Sequence, residues 1–154
     1  MRLPKPLARR AFIAFGMATR AMTLGVRALV LNEEGHVFLV RHTYVEGWHF
    51  PGGGVERDET MQEALEKELR EEGNILLTEE PYLFHFYRNT LHSRYDHVAL
   101  FVCRGAVQSA PKSLDHEIAE ARFFPTDALP EGATPSTRQR LREVLEGAGR
   151  ADLW

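Results

Sequence analysis

Three glutamates, Glu68, Glu71 and Glu72, stand close together in the segment MQEALEKELREEG. At about 100° per residue along a helix, Glu68 and Glu72 fall among the apolar residues of this segment, one turn apart, and Glu71 flanks them. Carboxylates that face a core repel one another and lose hydration, so the pattern indicates a cation between them. Oxygen ligands at spacings i, i+3 and i+4 favour a hard divalent ion, Mg2+ or Mn2+.

The glycines before this segment support a metal site over a solvated acidic helix. An acidic helix on its own is more often a solvated face with i, i+4 ion pairs. Gly52, Gly53 and Gly54, however, form backbone without side chains, which can come close to a ligand and present N–H groups to anionic oxygen. With Glu59 between the glycines and the helix, the combination predicts a site for a phosphoanhydride and a metal ion.

The spacing of these residues resembles a family motif. Gly53, five residues, Glu59, seven residues and then KELREE match the Nudix box of the Nudix hydrolases, G-x5-E-x7-R-E-U-x-E-E-x-G-U, where U is a bulky aliphatic residue. The box ends at Ile75, and the segments GWHFPGG and HEIAEARFF also resemble segments of proteins in this family. The resemblance implies a Nudix-type α/β/α sandwich with a mixed central sheet.

Two positions depart from the consensus. Lys67 stands where the family has arginine, whose planar fork can hold a glutamate through two hydrogen bonds, whereas lysine offers a mobile point charge. Asn74 stands where the family has glycine, and asparagine tolerates a left-handed backbone better than other non-glycine residues. We therefore expect a looser orientation of Glu68 or Glu72 and little effect at position 74.

The resemblance implies metal-dependent hydrolysis of a nucleoside diphosphate linked to another group, by attack of water at phosphorus. Lys67 is expected to orient the metal ligands, with Glu59 binding through water or orienting the others. The ligand set that the resemblance implies is a backbone group of Gly53 together with Glu59, Glu68, Glu71 and Glu72.

The general base is expected outside the box. Glu117, in LDHEIAEARFF, precedes a predicted strand, at the loop that faces the site in similar proteins, and His116 beside it is a second candidate. Either residue could instead be a solvated part of the loop, and the sequence leaves this choice open.

Residues near the glycines are expected to select the substrate. The predicted substrate-binding residues are Arg41, Tyr44, Trp48, Gly52, Gly53 and Gly54, and a further cluster around a later turn consists of Tyr87, Arg88, Arg94 and Tyr95. Stacking combined with positive charge suits a nucleotide or a sugar phosphate, although the aromatic residues could simply pack the loops. ADP-ribose, dinucleoside polyphosphates, damaged nucleoside triphosphates and sugar nucleotides all remain open as substrates.

Predicted strands and helices place these residues in one domain of residues 23–154. TLGVRALVL and VFLVRH predict a hairpin with Gly35 at its bend, and ILLTEEPYLFHFYRN and YDHVALFVCRGAV predict a long antiparallel pair. Thr60 and Glu63 form a capping box for a helix from Met61 to Gly73. A short strand in AEARFF and a closing helix in TPSTRQRLREVLEGAG complete an α+β or mixed α/β fold.

Residues 1–22 are predicted to be an N-terminal helical extension. RLPKPLARRAFIAFGMATRAM begins basic and turns apolar, but its apolar part is too short for a membrane span. We expect it to pack on the domain or to form a homodimer contact, with attachment to a membrane surface as the alternative.

The charge and cysteine content of the chain limit the classes of partner and the cellular location that we expect. The 154 residues include 19 basic and 22 acidic side chains, so the net charge of -3 gives no overall attraction to nucleic acid or to an anionic membrane. Cys103 is the single cysteine and cannot form an intramolecular disulfide, which favours a reducing, cytoplasmic location. A small nucleotide is the expected partner, with no specific nucleic acid.

Two other functions were compatible with these residues. A Nudix-like module that binds a nucleotide metabolite without hydrolysing it is favoured by Lys67 and opposed by the three intact glutamates. An RNA-acting hydrolase is the third reading, and the acidic balance and lack of a basic cluster beyond RLPKPLARR weigh against it.

Overall fold

The structure is a computed structural model that describes residues 5–91 and 93–154, with side chains described from Arg9 onward. None of the helices in these residues is long and apolar enough to cross a membrane. Along this described part of the chain the elements are α1 (Lys5–Thr19), β1 (Thr23–Val30), β2 (Val37–His42), α2 (Met61–Gly73), β3 (Ile75–Leu77), β4 (Tyr82–Asn89), β5 (Asp96–Cys103), β6 (Ala106–Gln108), β7 (Ile118–Phe124) and α3 (Pro135–Leu145).

Helix α2 has the bounds that its sequence predicts. The Thr60 hydroxyl accepts a hydrogen bond from the Glu63 N–H, and the Glu63 carboxylate accepts one from the Thr60 N–H, which completes the predicted capping box. The helix ends at Asn74, whose backbone is left-handed with φ 53° and ψ 35°. The Asn74 amide also donates to the carbonyls of Ala110 and Pro111, so this residue tethers a later loop to the end of α2.

The central sheet is mixed, with the order β1-β5-β4. Strand β5 runs parallel to β1 and antiparallel to β4, and the apolar VALFVC run explains why it occupies the middle position. Helix α2 lies over one face, where the core contains Leu65, Leu69 and Phe101. The other face packs against α3 through residues that include Leu100 and Leu141. The α+β fold with a mixed sheet is therefore confirmed.

The prediction that β1 and β2 pair along their length as a hairpin is wrong. The turn at Gly35 forms, but the two strands join only at a single bridge between Leu31 and Val37, and β2 pairs antiparallel with β7 instead. The reason is that the glycine loop occupies the free edge of β1. The N–H groups of Val26 and Ala28 donate to the carbonyls of Gly53 and Pro51, each at 2.9 Å.

The predicted long strand ILLTEEPYLFHFYRN is divided into β3 and β4. Strand β3 pairs with β6 in a small ladder of its own, while β4 pairs with β5 as expected. Tyr87 on β4 is fully buried, and its hydroxyl donates to Glu143 at 2.7 Å. The expectation that Tyr87 contacts substrate is therefore wrong, because its ring and hydroxyl are both used inside the core.

Helix α1 does not pack on the domain. From Arg9 to Met22 every residue is exposed except the half-buried Gly16. The expectation of a packed N-terminal helix is thus wrong for the described residues, while dimerisation through this helix stays a prediction.

Cys103 provides a test of this core. The thiol is buried at the end of β5, and burial raises its pKa to about 12. Because the thiolate is the reactive form, we expect alkylation by iodoacetamide to be very slow in the folded protein and to become fast in concentrated urea. Mass spectrometry of quenched samples gives both rates, and rapid labelling without urea would contradict the burial of β5.

Candidate functional site

Helix α2, the glycine loop and the end of β2 surround a polar cavity of about 340 Å³. The residues that line it come from five different parts of the chain, and carboxylates, imidazoles and backbone groups predominate among them. They are Arg27, His42, Tyr44, Val45, His49, Gly52, Gly53, Gly54, Glu68, Glu72 and Glu117.

Arg27 holds the glycine loop in place. Its Nη1 donates to the carbonyls of Gly52 at 2.7 Å and of Phe50 at 3.1 Å. Gly52 has a φ of +143°, and a Cβ there would overlap the Val26 carbonyl oxygen. Only glycine therefore lets the loop follow β1 so closely and still turn its N–H into the cavity.

Glu72 is the most buried carboxylate of the site, with 3% of its surface exposed. Its Oε2 accepts a hydrogen bond from the Gly52 N–H at 2.8 Å. Burial raises the pKa of Glu72 to about 8, and the Gly52 N–H and the charge of Arg27 offset only part of this effect. A bound cation would favour the ionised form and offset the cost of burying it.

Glu68 lies one turn before Glu72, and the position of its carboxylate depends on the missing side chain of Gly53. A Cβ on Gly53 would come within 2.5 Å of the Glu68 Oε1, so the carboxylate rests directly against bare backbone. Burial also raises the pKa of Glu68, while the charge of Lys67 works in the opposite direction. Gly53 itself has its carbonyl engaged by the Val26 N–H at 2.9 Å, which leaves one lone pair of that oxygen for another partner.

His42 and Glu117 complete a cluster with Glu72. One ligand atom from each of the three residues lies within 4.8 Å of the other two. Burial lowers the pKa of His42 and raises that of Glu72, so it disfavours the charged form of each residue at their 3.5 Å contact. The Nδ1 atom of His42 is buried and has no hydrogen-bond partner among the described residues.

These donors fit a divalent cation. Carboxylate oxygens predominate, and two of the carboxylates have raised pKa values that a nearby positive charge would lower. Glu71 is exposed and lines an adjoining cavity of about 420 Å³, which Glu68, Glu72 and Glu117 also line. Glu68, Glu71 and Glu72 therefore lie around two polar cavities that share lining residues.

Lys67 forms its close ion pair with Glu59 and not with Glu68, Glu71 or Glu72. Its Nζ lies 2.9 Å from the Glu59 Oε1 and 3.9 Å from the Glu56 Oε1. The Glu59 carboxylate also accepts from the Glu56 N–H at 3.0 Å, and this bond, followed by that to Lys67, lowers the pKa of Glu59. Lys67 and Glu59 line neither cavity, so they brace the loop before α2.

The predicted substrate residues divide into two groups. Tyr44 lines the first cavity, and its hydroxyl donates to Glu117 at 3.3 Å. Arg41 pairs with Glu120, and Trp48 is buried with its ring edge-on to Phe124, so neither lines the cavity.

The remaining predicted residues line neither cavity. His116 contributes only its carbonyl, which accepts from the Thr43 hydroxyl at 2.7 Å. At the turn between β4 and β5, the guanidinium of Arg94 stacks on the ring of Tyr95. Arg88 is exposed on β4, and its backbone pairs with the C-terminal residues.

Sequence reasoning missed four lining residues, the apolar Val45 and the polar Arg27, His42 and His49. Arg27 is the one charged residue in the apolar strand TLGVRALVL, and His42 ends VFLVRH, so polar residues inside strand patterns were the available signal. His49 contacts the Glu46 carbonyl through its Nε2 at 2.8 Å. The direction of these side chains relative to α2 depends on which strands pair with β1 and β2. The predicted hairpin assigned the wrong partners to both strands.

Besides the cavity that Glu71 lines, another cavity of about 420 Å³ shares Arg27 and His49 with the first, and we call it the second cavity. Its other walls are mixed in character. The apolar residues are Phe50, Leu91, Val98, Pro135 and Trp154, and the polar residues are Asn89, Thr134, Ser136, Thr137 and Gln139.

Comparison with known proteins gives a family match over most of the chain. The family model described as NUDIX domain matches residues 22–146. An RNA pyrophosphohydrolase of Xanthomonas campestris pv. campestris (strain B100) is 45% identical over 51 residues, which are 33% of this chain and 25% of that protein. The match thus spans about a quarter of that relative's length.

Solved structures share the fold at low sequence identity. A MutT NUDIX hydrolase from Burkholderia pseudomallei superposes with a TM-score of 0.68 and 22% identity, covering 79% of this chain and 97% of that one. A UDP-X diphosphatase gives a TM-score of 0.63 and 22% identity, covering 99% of this chain and 75% of that one.

The glycine loop can be tested by a matched pair of substitutions. Gly52→Ala should lower the free energy of unfolding by at least about 2 kcal/mol, because its Cβ meets the backbone of β1 and its φ is unfavourable for alanine. Gly54→Ala should change it by less than about 0.5 kcal/mol, since nothing lies within 4 Å of a Cβ there. Urea denaturation measures both, and equal losses would contradict this account of the loop.

Proposed function

The chain belongs to the Nudix family, and on this basis we propose that it hydrolyses a phosphoanhydride bond of a nucleoside diphosphate linked to another group. The observation that carries this proposal is the buried Glu72 carboxylate, which the Gly52 N–H holds beside Glu68 in a polar cavity. A nucleotide sugar, an ADP-ribose-like compound, a dinucleotide or a nucleoside triphosphate would each meet this requirement.

We propose Mg2+ or Mn2+ as the cofactor. Glu68 and Glu72 would hold it, with Glu71 and Glu117 within the same polar region and a backbone group of Gly53 beside them. Glu59 would contribute indirectly, through the loop that Lys67 braces. When bound, such an ion neutralises charge on phosphate oxygens and lowers the pKa of a water molecule.

The protein's own groups would position the diphosphate and take up a proton. Arg27 lines both cavities and brings a positive charge to the junction where the diphosphate would lie. Glu117 is exposed, so its carboxylate is accessible to water, and the Tyr44 hydroxyl donates to it. We propose Glu117 as the general base that accepts a proton from the attacking water.

The second cavity is our proposed site for the group beyond the diphosphate or for the nucleoside. It is next to the carboxylates, and the ring of Trp154 on its wall could stack on a base. The cavity's mixed lining suits a group with both a flat apolar face and hydrogen-bonding edges.

Two alternatives guide the choice of substrates. A module that binds a nucleotide without turnover would use the same cavities. The relatives named RNA pyrophosphohydrolase make RNA the other alternative. We propose small nucleotides rather than a specific nucleic acid, because the net charge is -3 and the cavity walls are mainly acidic or neutral.

The buried Cys103 supports our further proposal of a cytoplasmic location.

Hydrolysis should depend on the charge of Glu72. Glu72→Gln retains an oxygen that can accept the Gly52 N–H but removes the negative charge, so kcat/KM should fall at least about a hundredfold. The measurement is product analysis over nucleoside diphosphate and triphosphate derivatives and 5′-triphosphate RNA, with Mg2+, with Mn2+ and with chelator. Glu120→Gln is the control, because it removes an exposed carboxylate that pairs with Arg41 outside the cavity.

The same assay tests Glu117. Glu117→Gln should lower kcat at least about tenfold while the metal concentration for half-maximal activity stays unchanged. A rise in that metal concentration would make Glu117 a ligand instead of the base. Tight binding of a panel member without any turnover by the wild type would contradict hydrolysis and favour the binding module.

Fluorescence can test occupation of the second cavity. The chain has two tryptophans, Trp48 in the core and Trp154 on the cavity wall. Mixing the wild type with its best substrate in a stopped-flow instrument should change tryptophan emission before turnover, because a base would contact Trp154. Trp154→Phe should abolish this change, and a signal that persists in this variant would assign it to Trp48 and contradict the proposed site.

A further inference from the structure

Helix α1 is an apolar surface without a partner in the described chain. Among its exposed residues are Phe12 at 70% and Phe15 at 65% exposure, and Ile13, Met17 and Met22 are exposed as well. A helix of 15 residues is marginally stable in water unless another surface covers its apolar side. A surface of this composition marks a contact site for an external partner.

The charge of this segment identifies the chemistry of that partner. Residues 1–32 contain no acidic side chain, although the whole chain has more acidic than basic residues. Arg9, Arg10 and Arg20 on or beside α1 form no ion pair with any other described residue. These exposed guanidinium groups are therefore available to anionic groups of a partner.

The arrangement around the helix suits a flat anionic surface. At about 100° per residue the three arginines fall within an arc of about 100°, and Phe15 lies on the opposite side with Phe12 at the boundary. Ile13 and Met17 lie between the arginines, whose long side chains can extend past them to phosphate groups. At about 1.5 Å per residue the helix is about 22 Å long, too short to cross the hydrocarbon core of a bilayer, so it would lie in the plane of the interface.

We propose that α1 binds the surface of anionic lipid bilayers, with its phenylalanines among the acyl chains and its arginines at the phosphates. A second copy of the chain is the competing occupant. Packing α1 against α1 through the phenylalanines would leave the arginines without counter-charges, whereas anionic lipid supplies them, so the charges favour lipid. This binding is separate from the proposed hydrolysis, since no residue of α1 lines either cavity of the site.

Vesicle co-sedimentation of the full chain tests this inference. We expect binding to vesicles of equal phosphatidylcholine and phosphatidylglycerol and at least tenfold weaker binding to phosphatidylcholine alone. Raising the salt from about 0.1 M to about 0.5 M should weaken the anionic binding several-fold, because it shortens the Debye length. Far-UV circular dichroism should show that helix content is retained or increased on these vesicles.

Two variants separate the apolar and charged contributions. Phe12→Ser with Phe15→Ser, and Arg9→Glu with Arg10→Glu, should each lower the anionic partition coefficient at least tenfold. The matched control is Val107→Ser with Leu114→Ser, which removes apolar side chains of 55% and 69% exposure away from α1 and should bind as the wild type does. Thermal unfolding of each variant verifies that the domain remains folded.

Three results would overturn the inference. They are no binding to anionic vesicles, equal binding to neutral and anionic vesicles, and a lipid-free dimer in analytical ultracentrifugation that Phe12→Ser with Phe15→Ser dissociates. The last result would identify a second copy of the chain as the occupant of α1.

Discussion

The hydrogen bond from the Gly52 N–H to the Glu72 carboxylate connects the two halves of the site. It joins the glycine loop to α2 in a place where Glu72 is almost completely buried, so the geometry of the loop and the protonation of the carboxyl are linked. Burying an ionised carboxylate is costly, and one N–H offsets only part of that cost. The site thus has the electrostatic character of a cation site, and a cation held there would lie close to any ligand that the glycines bind.

The fold supports this contact through an exchange of strand partners. Because the backbone of the glycine loop takes the edge of β1, β2 pairs with β7, and that pairing brings His42 and Glu117 beside Glu72. Arg27 reinforces the same edge by donating to two carbonyls of the loop. At the far side of the sheet, the buried Arg140 and Glu143 join α3 to the C-terminal residues that carry Trp154. The walls of both cavities therefore depend on the same central sheet.

Local patterns predicted local structure well. The capping box gave the start of α2, helical spacing gave the burial of Glu72, and the tolerance of asparagine for a left-handed backbone explained Asn74. Partners far apart in the chain were not predictable in this way. The apolar strands β1 and β2 could accept several neighbours, so the hairpin, the contacts of Arg27 and His42 and the burial of Trp48 all depended on a pairing that no local pattern specifies. Lys67 shows the same limit, because its choice of Glu59 over Glu68 is set by the fold of the loop.

We propose that the carboxylates of α2 face inward because they share a divalent cation. Anomalous scattering from crystals grown with Mn2+ can locate the ion without assumptions about the substrate. We expect a peak bounded by Glu68, Glu72 and the backbone of Gly53. Two results in a well-ordered crystal at saturating Mn2+ would contradict a shared cation. One is the absence of a peak at this position, and the other is an ion bound elsewhere while Glu72 keeps its hydrogen bond from the Gly52 N–H.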